Sequence, residues 1–376
     1  MADIDDRWHW RDTDGSLHRS ARYGKGARWL LRWRGPDGRQ RKKSFKRKVD
    51  AEKYATELEH RLGTGTYIDP DAGKVTVSDW ATRWLDAQVH MKPTSKDRAA
   101  GILRTHVLPK WGAVRLSDVG PAEVQSWIGD LSTDLAPASV AKVHRVFSLL
   151  LSWAVRNGKL AKNPAENVNL PRTGPADHRY LDHRQVAALA EACGPYALVI
   201  QFLAYTGLRW GEMAALRVRR IDLERRRVRV AESVTEVNGL LVWGVPKNHE
   251  CRSVVLPRFL AQQLSKHLVG KTEDDLVFTA PQGGVLRVRN FRRASFDQAV
   301  ISLGLDGFHP HELRHTAASL AISSGADVKI VQQMLGHKSA TMTLDLYGHL
   351  FPDRLDDIAD RMDQAVRAPD VPHRGS

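Results

Sequence analysis

Four short amphipathic segments, three of them opened by a proline, most constrain the fold of this chain. Between residues 78 and 158 apolar side chains recur at helical spacing, and Pro93, Pro121 and Pro137 open the last three segments. Proline is tolerated in the first turn of a helix and breaks its interior, so each proline marks a helix start. The pattern predicts a compact all-α helical bundle over residues 75–172.

A stretch with little periodicity follows this bundle. Pro164, Pro171 and Pro175 punctuate it, which is typical of a linker between domains. Three strand-like segments lie further on, at residues 227–234, 240–245 and 253–256. Helical patterns outnumber them, so we predict a mainly α domain with a small antiparallel β-sheet over residues 178–376.

The N-terminal part of the chain is strongly basic and is interleaved with aromatic residues. Residues 19–48 hold 13 Lys or Arg and a single acid, Asp37. The local pattern predicts strands at residues 29–34 and 41–45, a turn at 35–38 and a helix at 49–62. We therefore predict a small α+β domain over residues 1–72.

Basic residues on a predicted sheet favour contact with nucleic acid. Sheets can read DNA grooves, and Lys and Arg supply affinity by binding phosphates. The candidate DNA contacts are Arg28, Arg32, Arg34, Arg41, Lys42, Lys43 and Lys46. A solvated charged surface and a disordered basic arm are the plain alternatives.

The net charge of the chain is unevenly distributed. The 376 residues include 57 Lys and Arg against 43 Asp and Glu, for a formal net charge of +14. Residues 1–75 contribute +6, residues 76–172 contribute +5 and residues 173–376 contribute +3. The excess predicts an anionic partner such as DNA, and it assigns most of the attraction to the first two domains.

Composition disfavours several classes of protein. No run of about 18 apolar residues occurs, so we expect no membrane-spanning helix and no membrane partner. The first residues are acidic and lack an apolar stretch, so we expect no secretion signal. Cys193 and Cys251 are the only cysteines, which permits neither a disulfide framework nor a cysteine-rich zinc site. We expect a cytoplasmic protein.

Cationic and nucleophilic residues from separate C-terminal segments form a set suited to phosphoryl transfer. The arginine guanidinium matches two phosphate oxygens, and histidine can donate to those oxygens or move a proton. Tyrosine can act as a nucleophile in a cationic pocket, and lysine can protonate a departing sugar oxygen, so no metal ion is needed. The candidates are Arg209, Lys247, His311, Arg314, His315, His337 and Tyr347.

Four of the segments that carry these residues resemble, in order and spacing, the conserved boxes of the tyrosine recombinases, or phage-type integrases. They are Thr206-Gly207-Leu208-Arg209-Trp210-Gly211-Glu212, His311-Glu312-Leu313-Arg314-His315, Leu335-Gly336-His337 and Tyr347-Gly348-His349. The resemblance covers residues 178–352, and it is specific because four separate boxes agree. The first two domains are similar, by pattern more than by motif, to the arm-type-site-binding and core-binding domains of integrases.

The resemblance implies a role for each matching residue. The residues that bind the scissile phosphate and stabilise its transition state would be Arg209, His311, Arg314 and His337. Tyr347 would be the nucleophile, forming a 3′-phosphotyrosyl bond, and Lys247 would protonate the leaving 5′ oxygen. The supporting residues would be Glu212 and His315. No metal ion or other cofactor is implied.

The resemblance also implies a function and its partners. The expected activity is site-specific integration, and also excision, of a phage or another mobile element. The partners would be core and arm attachment sites in double-stranded DNA, three further copies of the chain in a homotetramer on that DNA, a host DNA-bending protein and an excisionase. An amphipathic C-terminal stretch would dock on a neighbouring protomer or form a solvated terminal helix; it comprises Leu355, Ile358, Ala359 and Met362.

Three other interpretations stay open. Residues 311–315 satisfy the H-E-x-x-H motif of zinc peptidases, with Glu312 as the general base, although Pro310 places the motif at a helix start and Arg314 would repel the metal. A catalytically silent DNA-binding regulator is the second, and the complete set of catalytic candidates argues against it. A metal-dependent transposase or nuclease is the third, and no acidic cluster in the sequence has convincing ligand spacing.

Overall fold

The computed structural model describes residues 2–35, 38–64, 67, 69, 72–174, 179–246, 251–351 and 362–363. The chain forms two compact units, Met1–Gly174 and Pro175–Ser376. The finer division into domains 1–72, 75–172 and 178–376 stays a prediction. In the described part of the chain no helix is both long enough and apolar enough to cross a membrane.

The first unit begins with five short strands and one helix. They are β1 Asp3–Asp6, β2 His9–Arg11, β3 Leu17–Arg19, β4 Trp29–Arg34, β5 Gln40–Phe45 and α1 Lys48–Gly63. A three-stranded antiparallel sheet has the order β1-β4-β5, and β2 and β3 form a separate hairpin. The strands β4 and β5 and the helix α1 were predicted, whereas β1, β2 and β3 were not.

The two faces of the three-stranded sheet differ in character. Leu31 and Trp33 of β4 are buried and pack with Leu58 of α1 in a small apolar core. Since side chains alternate along a strand, Arg32 and Arg34 lie on the opposite, open face. The register pairs Lys42 of β5 with Arg32, which puts both on that face.

Ion pairs involve three of the seven predicted DNA contacts. Arg28 binds Asp6 at 2.7 Å, Arg32 binds Asp5 at 2.9 Å, and Arg41 binds Asp69. Arg41 also faces the helix side of the sheet, opposite the buried Trp33. The open face therefore presents Arg32, Arg34 and Lys42, while the amine of Lys43 lies 4.0 Å from the ring of Tyr54 on the helix side.

The rest of the first unit is helical, as the spacing of its prolines predicts. The helices are α2 Val77–Ala87, α3 Pro93–Ile102, α4 Leu108–Trp111, α5 Pro121–Asp134 and α6 Pro137–Arg156, with a π-helical segment Leu103–Val107 between α3 and α4. Their apolar faces share one core, in which the rings of Trp111, Trp127 and Phe147 contact one another. Helix α2 begins at Val77, one residue before the predicted pattern, and the side chain of Thr76 caps it.

The second unit is mainly helical. Its helices are α7 His183–Ala192, α8 Ala197–Thr206, α9 Trp210–Ala214, α10 Arg258–His267, α11 Val288–Phe291, α12 Asp297–Ser302, α13 Glu312–Ser323, α14 Val328–Leu335 and α15 Ala340–Tyr347. Its strands are β6 Ile221–Asp222, β7 Arg227–Val230, β8 Ser233–Val237, β9 Leu240–Gly244 and β10 Arg252–Val255. The predicted mainly helical region with small antiparallel sheets is confirmed.

Two features of this unit position the site. The helices α8 and α13 pack side by side in the core, and alanines at 317 and 318 let the backbones approach closely. The segment predicted as one strand at 227–234 is two strands in separate sheets, since β7 pairs with β6 and β10 while β8 pairs with β9.

The predicted C-terminal amphipathic stretch lies outside the described residues, apart from Met362.

Candidate active site

Arg209 lies at a sharp turn between α8 and α9. Gly207 ends α8 with φ of +66°, and a side-chain carbon at that position would lie 2.8 Å from Leu335. Backbone conformation and space both require glycine there. The carboxylate of Glu212 accepts the backbone N–H of Arg209 at 2.9 Å and a guanidinium N–H of Arg209 at 3.0 Å. Glu212 therefore fixes Arg209 at the start of α9.

Arg314 lies in the first turns of α13 and is almost fully buried, with 4% of its surface exposed. Its Nη1 donates to the carbonyl oxygen of Gly207 at 2.6 Å, and its Nη2 donates to the carbonyl oxygen of Leu335. These two carbonyls belong to the segments that carry Arg209 and His337. Arg314 thus links three of the boxes, and guanidinium N–H groups remain beyond these two bonds.

His337 follows a left-handed turn at the end of α14. Gly336 has φ of +64° and forms the C-cap of that helix. The ring of His337 is buried, and its Nδ1 lies 3.0 Å from the hydroxyl of Thr343, a buried residue of α15. If Thr343 donates this hydrogen bond, the proton of a neutral His337 is on Nε2, where it can be donated to an anion.

Tyr347 ends α15, and 1% of its surface is exposed. Its hydroxyl oxygen lies 2.8 Å from Nδ1 of His315. The ring of His337 is parallel to the ring of Tyr347 with 6.4 Å between centroids, and the ring of His311 lies 5.5 Å from that of His315. Burial raises the pKa of Tyr347 to about 12, although the charge of Arg314 acts in the opposite direction.

Arg252 is a member of this cluster that the sequence reasoning missed. It is the first residue of β10, and its side chain is 10% exposed. Its Nη1 and Nη2 donate to the two oxygens of Glu212 at 3.0 and 2.6 Å, and its Nε donates to the carbonyl oxygen of Met334 at 3.1 Å. The sequence feature that could have pointed to Arg252 is its position five residues after Lys247, at the start of a strand.

The cluster has an excess of positive charge. Among the described residues, three arginines, Arg209, Arg252 and Arg314, surround one carboxylate, that of Glu212. Burial and the charges of Arg209 and Arg252 lower the pKa of Arg314 to about 9, and Glu212 acts in the opposite direction. Burial and the same three arginines lower the pKa of His337 to about 4, so His337 is neutral at pH 7. Such a site favours a bound anion.

The fold thus brings together most of the site residues predicted from the sequence. Arg209, Glu212, His311, Arg314, His315, His337 and Tyr347 are linked by the hydrogen bonds and ring contacts above. Lys247 lies outside the described residues. The predicted DNA contacts of the N-terminal sheet belong to the other unit.

Comparison with known proteins assigns the second unit to a family. Residues 179–354 match the model of the phage integrase family, and this segment contains all of the described cluster. Residues 179–354 of this chain belong to the phage integrase family. The predicted family is confirmed, and with it the predicted class of enzyme, a tyrosine-type site-specific DNA recombinase.

Individual relatives within the family match most of the chain. The integrase of Mycobacterium phage D29 is 25% identical over 332 residues, which cover 85% of this chain and 85% of the relative. A lambda integrase dimer bound to a COC′ core site has a TM-score of 0.59 at 16% identity and covers 98% of both chains. The Tn1549 transposon integrase, in complex with a circular intermediate DNA, has a TM-score of 0.64 at 18% identity and covers 77% of this chain and 99% of that chain. The phage integrase fold therefore extends beyond residues 179–354.

Within this integrase fold, the H-E-x-x-H segment is arranged unlike a zinc site. Glu312 accepts the backbone N–H of His309 at the start of α13, and His315 is bonded to Tyr347. In the described ranges, no group of three or more His, Cys, Asp or Glu residues is placed to hold a metal ion. In this structure the carboxylate of Glu312 is thus engaged by the backbone that precedes α13.

Proposed function

We propose that this chain is an integrase that cleaves and rejoins attachment-site DNA through a bond between Tyr347 and a DNA 3′ phosphate. Its class, a site-specific DNA recombinase of the tyrosine type, is the one confirmed by its family. The proposed biological role is to integrate, and also to excise, a phage or another mobile element.

One observation carries the assignment of the nucleophile. The side chain of Tyr347 is buried within the electrostatic influence of Arg314, one of three arginines grouped with the carboxylate of Glu212. A buried cationic excess is unfavourable until an anion binds, and a DNA phosphate supplies that charge together with an electrophilic phosphorus. A tyrosine in such a place can attack the phosphorus without a metal ion.

The chemical step then has a defined balance. The oxygen of Tyr347 forms a bond to phosphorus while its proton passes to Nδ1 of His315, which is 2.8 Å away. The bond from phosphorus to the 5′ oxygen breaks, and that oxygen takes a proton from Lys247, as the family resemblance implies. Arg209, Arg314 and a neutral His337 donate hydrogen bonds to the non-bridging oxygens, and His311 assists from the His315 side.

Rejoining reverses these movements. The 5′ hydroxyl of a partner strand attacks the phosphorus and returns a proton to Lys247. The bond from phosphorus to the oxygen of Tyr347 breaks, Tyr347 regains its proton from His315, and a new phosphodiester forms. Because one phosphodiester is exchanged for another, the bond energy is conserved and no nucleotide cofactor is needed.

The first unit is proposed to supply most of the affinity for DNA. The open face of the sheet presents Arg32, Arg34 and Lys42, which we assign to phosphate contacts of an arm-type site. The helices of residues 75–172 are proposed as the core-binding domain. Residues 178–376, within the second unit, are proposed as the catalytic domain.

The partners are proposed by analogy with the relatives. Lambda integrase has been solved as a dimer on a core site and as a tetramer on a Holliday junction. We propose that this chain acts on core and arm sites as a homotetramer, with a host DNA-bending protein and an excisionase. The bacterial cytoplasm is the proposed place of action.

The decisive experiment tests Tyr347 itself. Core-site DNA is selected from a random pool by binding, and a nicked suicide version of it traps the covalent product. Tyr347→Phe should bind this DNA as wild type does and form no adduct, whereas the matched Tyr205→Phe, which alters a tyrosine bonded to His183 outside the cluster, should form it normally. Adduct formation by Tyr347→Phe, or a wild-type adduct mapped to another residue, would refute the assignment.

A further inference from the structure

Arg252 joins two parts of the site that come from different stretches of the chain. Through its Nη atoms it holds both oxygens of Glu212, the carboxylate that fixes Arg209. Through its Nε it holds the carbonyl of Met334, at the end of α14 and three residues before His337. One guanidinium therefore contacts the supports of two phosphate-binding residues.

The packing of Arg252 against the turn before His337 is close. A side-chain carbon on Gly336 would lie 2.9 Å from Cδ of Arg252 and 3.2 Å from its Nε. Gly336 also has a positive φ, so the turn depends on glycine for its backbone and for the room that Arg252 occupies. The position of His337 thus depends on where the side chain of Arg252 is held.

The carboxylate of Glu212 accepts hydrogen bonds from both Arg252 and Arg209, and the two arginines contribute unequally. Arg252 makes a bidentate pair with Glu212, whereas the guanidinium of Arg209 contributes a single Nη1 bond at 3.0 Å. A bidentate arginine–carboxylate pair is the stronger and the more directional of the two. Because Arg252 satisfies the carboxylate, the other donors of Arg209 are left for an anion.

Without Arg252, the charge of Glu212 would be paired differently. Glu212 is 2% exposed, so its charge would have to be met by the nearest remaining cation, which is Arg209. The guanidinium of Arg209 would then be drawn onto the carboxylate and away from the phosphate. The turn at Gly336 would lose its contact at the same time.

We propose that Arg252 is a positioning residue that keeps Arg209 available for the scissile phosphate and holds the turn that presents His337. With three of its N–H groups committed to Glu212 and Met334, it acts on the phosphate through these partners. The inference rests on the proposed function, since it requires a phosphate between Arg209 and His337.

The test uses full-length protein and the suicide substrate at saturating DNA. Arg252→Met should lower the rate of adduct formation by about 100-fold, and Arg252→Lys, which keeps a charge without the planar fork, by about 10-fold. DNA affinity should stay close to wild type for both. Arg287→Met is the matched control, because it breaks another arginine–carboxylate pair of the same unit, with Glu236, and should react normally.

A second substrate separates positioning from a general loss of structure. Replacing the scissile phosphate by a neutral methylphosphonate removes the charge that Arg209 must meet. The defect of Arg252→Lys should then shrink to less than about threefold relative to wild type on the same substrate. A defect of equal size on both substrates, or a defect of less than about threefold on the phosphate, would overturn the proposal.

The outcomes also separate this inference from the proposed function. Tyr347→Phe forming an adduct would refute the recombinase assignment of Tyr347 whatever Arg252 does. If Tyr347→Phe forms no adduct and Arg252→Lys reacts at the wild-type rate, the inference about Arg252 is refuted and the proposed function is not. Thermal unfolding of each variant identifies misfolded protein, and Arg252→Lys keeps the test decisive if Arg252→Met does not fold.

Discussion

Burial of Tyr347 makes its hydroxyl a weaker acid, while the charge of Arg314 acts in the opposite direction. With its pKa raised to about 12, only about one molecule in 10⁵ would carry the phenolate at pH 7. The proton must therefore leave during the attack, and His315 is the neighbour in hydrogen-bonding contact with the hydroxyl. The resemblance alone gave His315 a supporting role.

The first prediction concerns this proton transfer. His315→Gln should lower the rate of adduct formation on the suicide substrate by about 100-fold, as expected for loss of a general base. Replacing Tyr347 by a fluorinated tyrosine of lower pKa should recover part of that loss. His183→Gln is the control, since His183 makes the same 2.8 Å contact with Tyr205 outside the cluster. If His315→Gln forms the adduct at a rate within about twofold of the wild-type rate, the mechanism is contradicted.

The second prediction concerns pH and His337. Its pKa is lowered to about 4 by burial and by the neighbouring arginines, from an ordinary value of 6.5. Between about pH 4 and pH 6.5 the imidazole of His337 binds a proton in the unfolded chain but not in the folded chain. The free energy of unfolding is therefore highest, as far as His337 is concerned, above pH 6.5, and it decreases as the pH falls. From pH 7.5 to pH 5 the loss should be about 2 kcal/mol.

Urea unfolding of wild type and His337→Gln at both pH values measures this effect. Carboxylates that titrate in the same range contribute equally to both proteins and cancel in the comparison. Wild type should lose more stability than the variant by the stated amount. Equal losses in the two proteins would show that His337 already titrates near its ordinary value.

At the scale of elements, caps and turns explain which predictions succeeded. The prolines open α3, α5 and α6 as their positions predict, and a capping box between Asp182 and Gln185 opens α7. Both are local signals that act within one turn. The short strand β1 has no such signal, because its residues Asp3–Asp6 become a strand only by pairing with β4. The split of residues 227–234 likewise depends on distant partners.

The third prediction compares two glycines that end helices with positive φ. Gly325, after α13, has open space around it, whereas Gly336, after α14, faces Arg252. Gly325→Ala should cost about 1 kcal/mol for its backbone conformation alone. Gly336→Ala should cost about 1–3 kcal/mol more, since Arg252 must move, and it should also slow adduct formation. Equal costs, measured by urea unfolding, would show that the contact with Arg252 is easily displaced.

At the scale of the whole molecule, charge and chemistry are divided between regions of the chain. Residues 1–75 carry a net charge of +6 within 75 positions, while residues 173–376 carry +3 within 204. The second unit instead concentrates a few cations around one carboxylate. Affinity for DNA and catalysis should therefore respond to different substitutions.

The fourth prediction tests that division. Replacing Arg32, Arg34 and Lys42 by alanine should make the slope of log K against log salt concentration about 2–3 units shallower on DNA that includes the arm site. Cleavage of a core-only suicide substrate should be unchanged. The matched control replaces Lys48, Lys53 and Arg61 of α1, which removes the same charge from the helix, and should change the slope by less than about one unit. Equal slopes for the two variants would refute the assignment of the open face.

The sequence by itself determined the helices opened by prolines, the location of the charge and the boxes that carry Arg209, Arg314, His337 and Tyr347. These follow from signals that lie within a few neighbouring residues. The tertiary structure alone decided that Arg252 belongs to the site, that His315 contacts the nucleophile and that Thr343 orients His337. The contact of His315 with Tyr347 joins residues 32 positions apart, and that of Arg252 with Met334 joins residues 82 positions apart. These partners are set by the packing of α8, α13, α14 and β10. Local spacing carries no information about such neighbours.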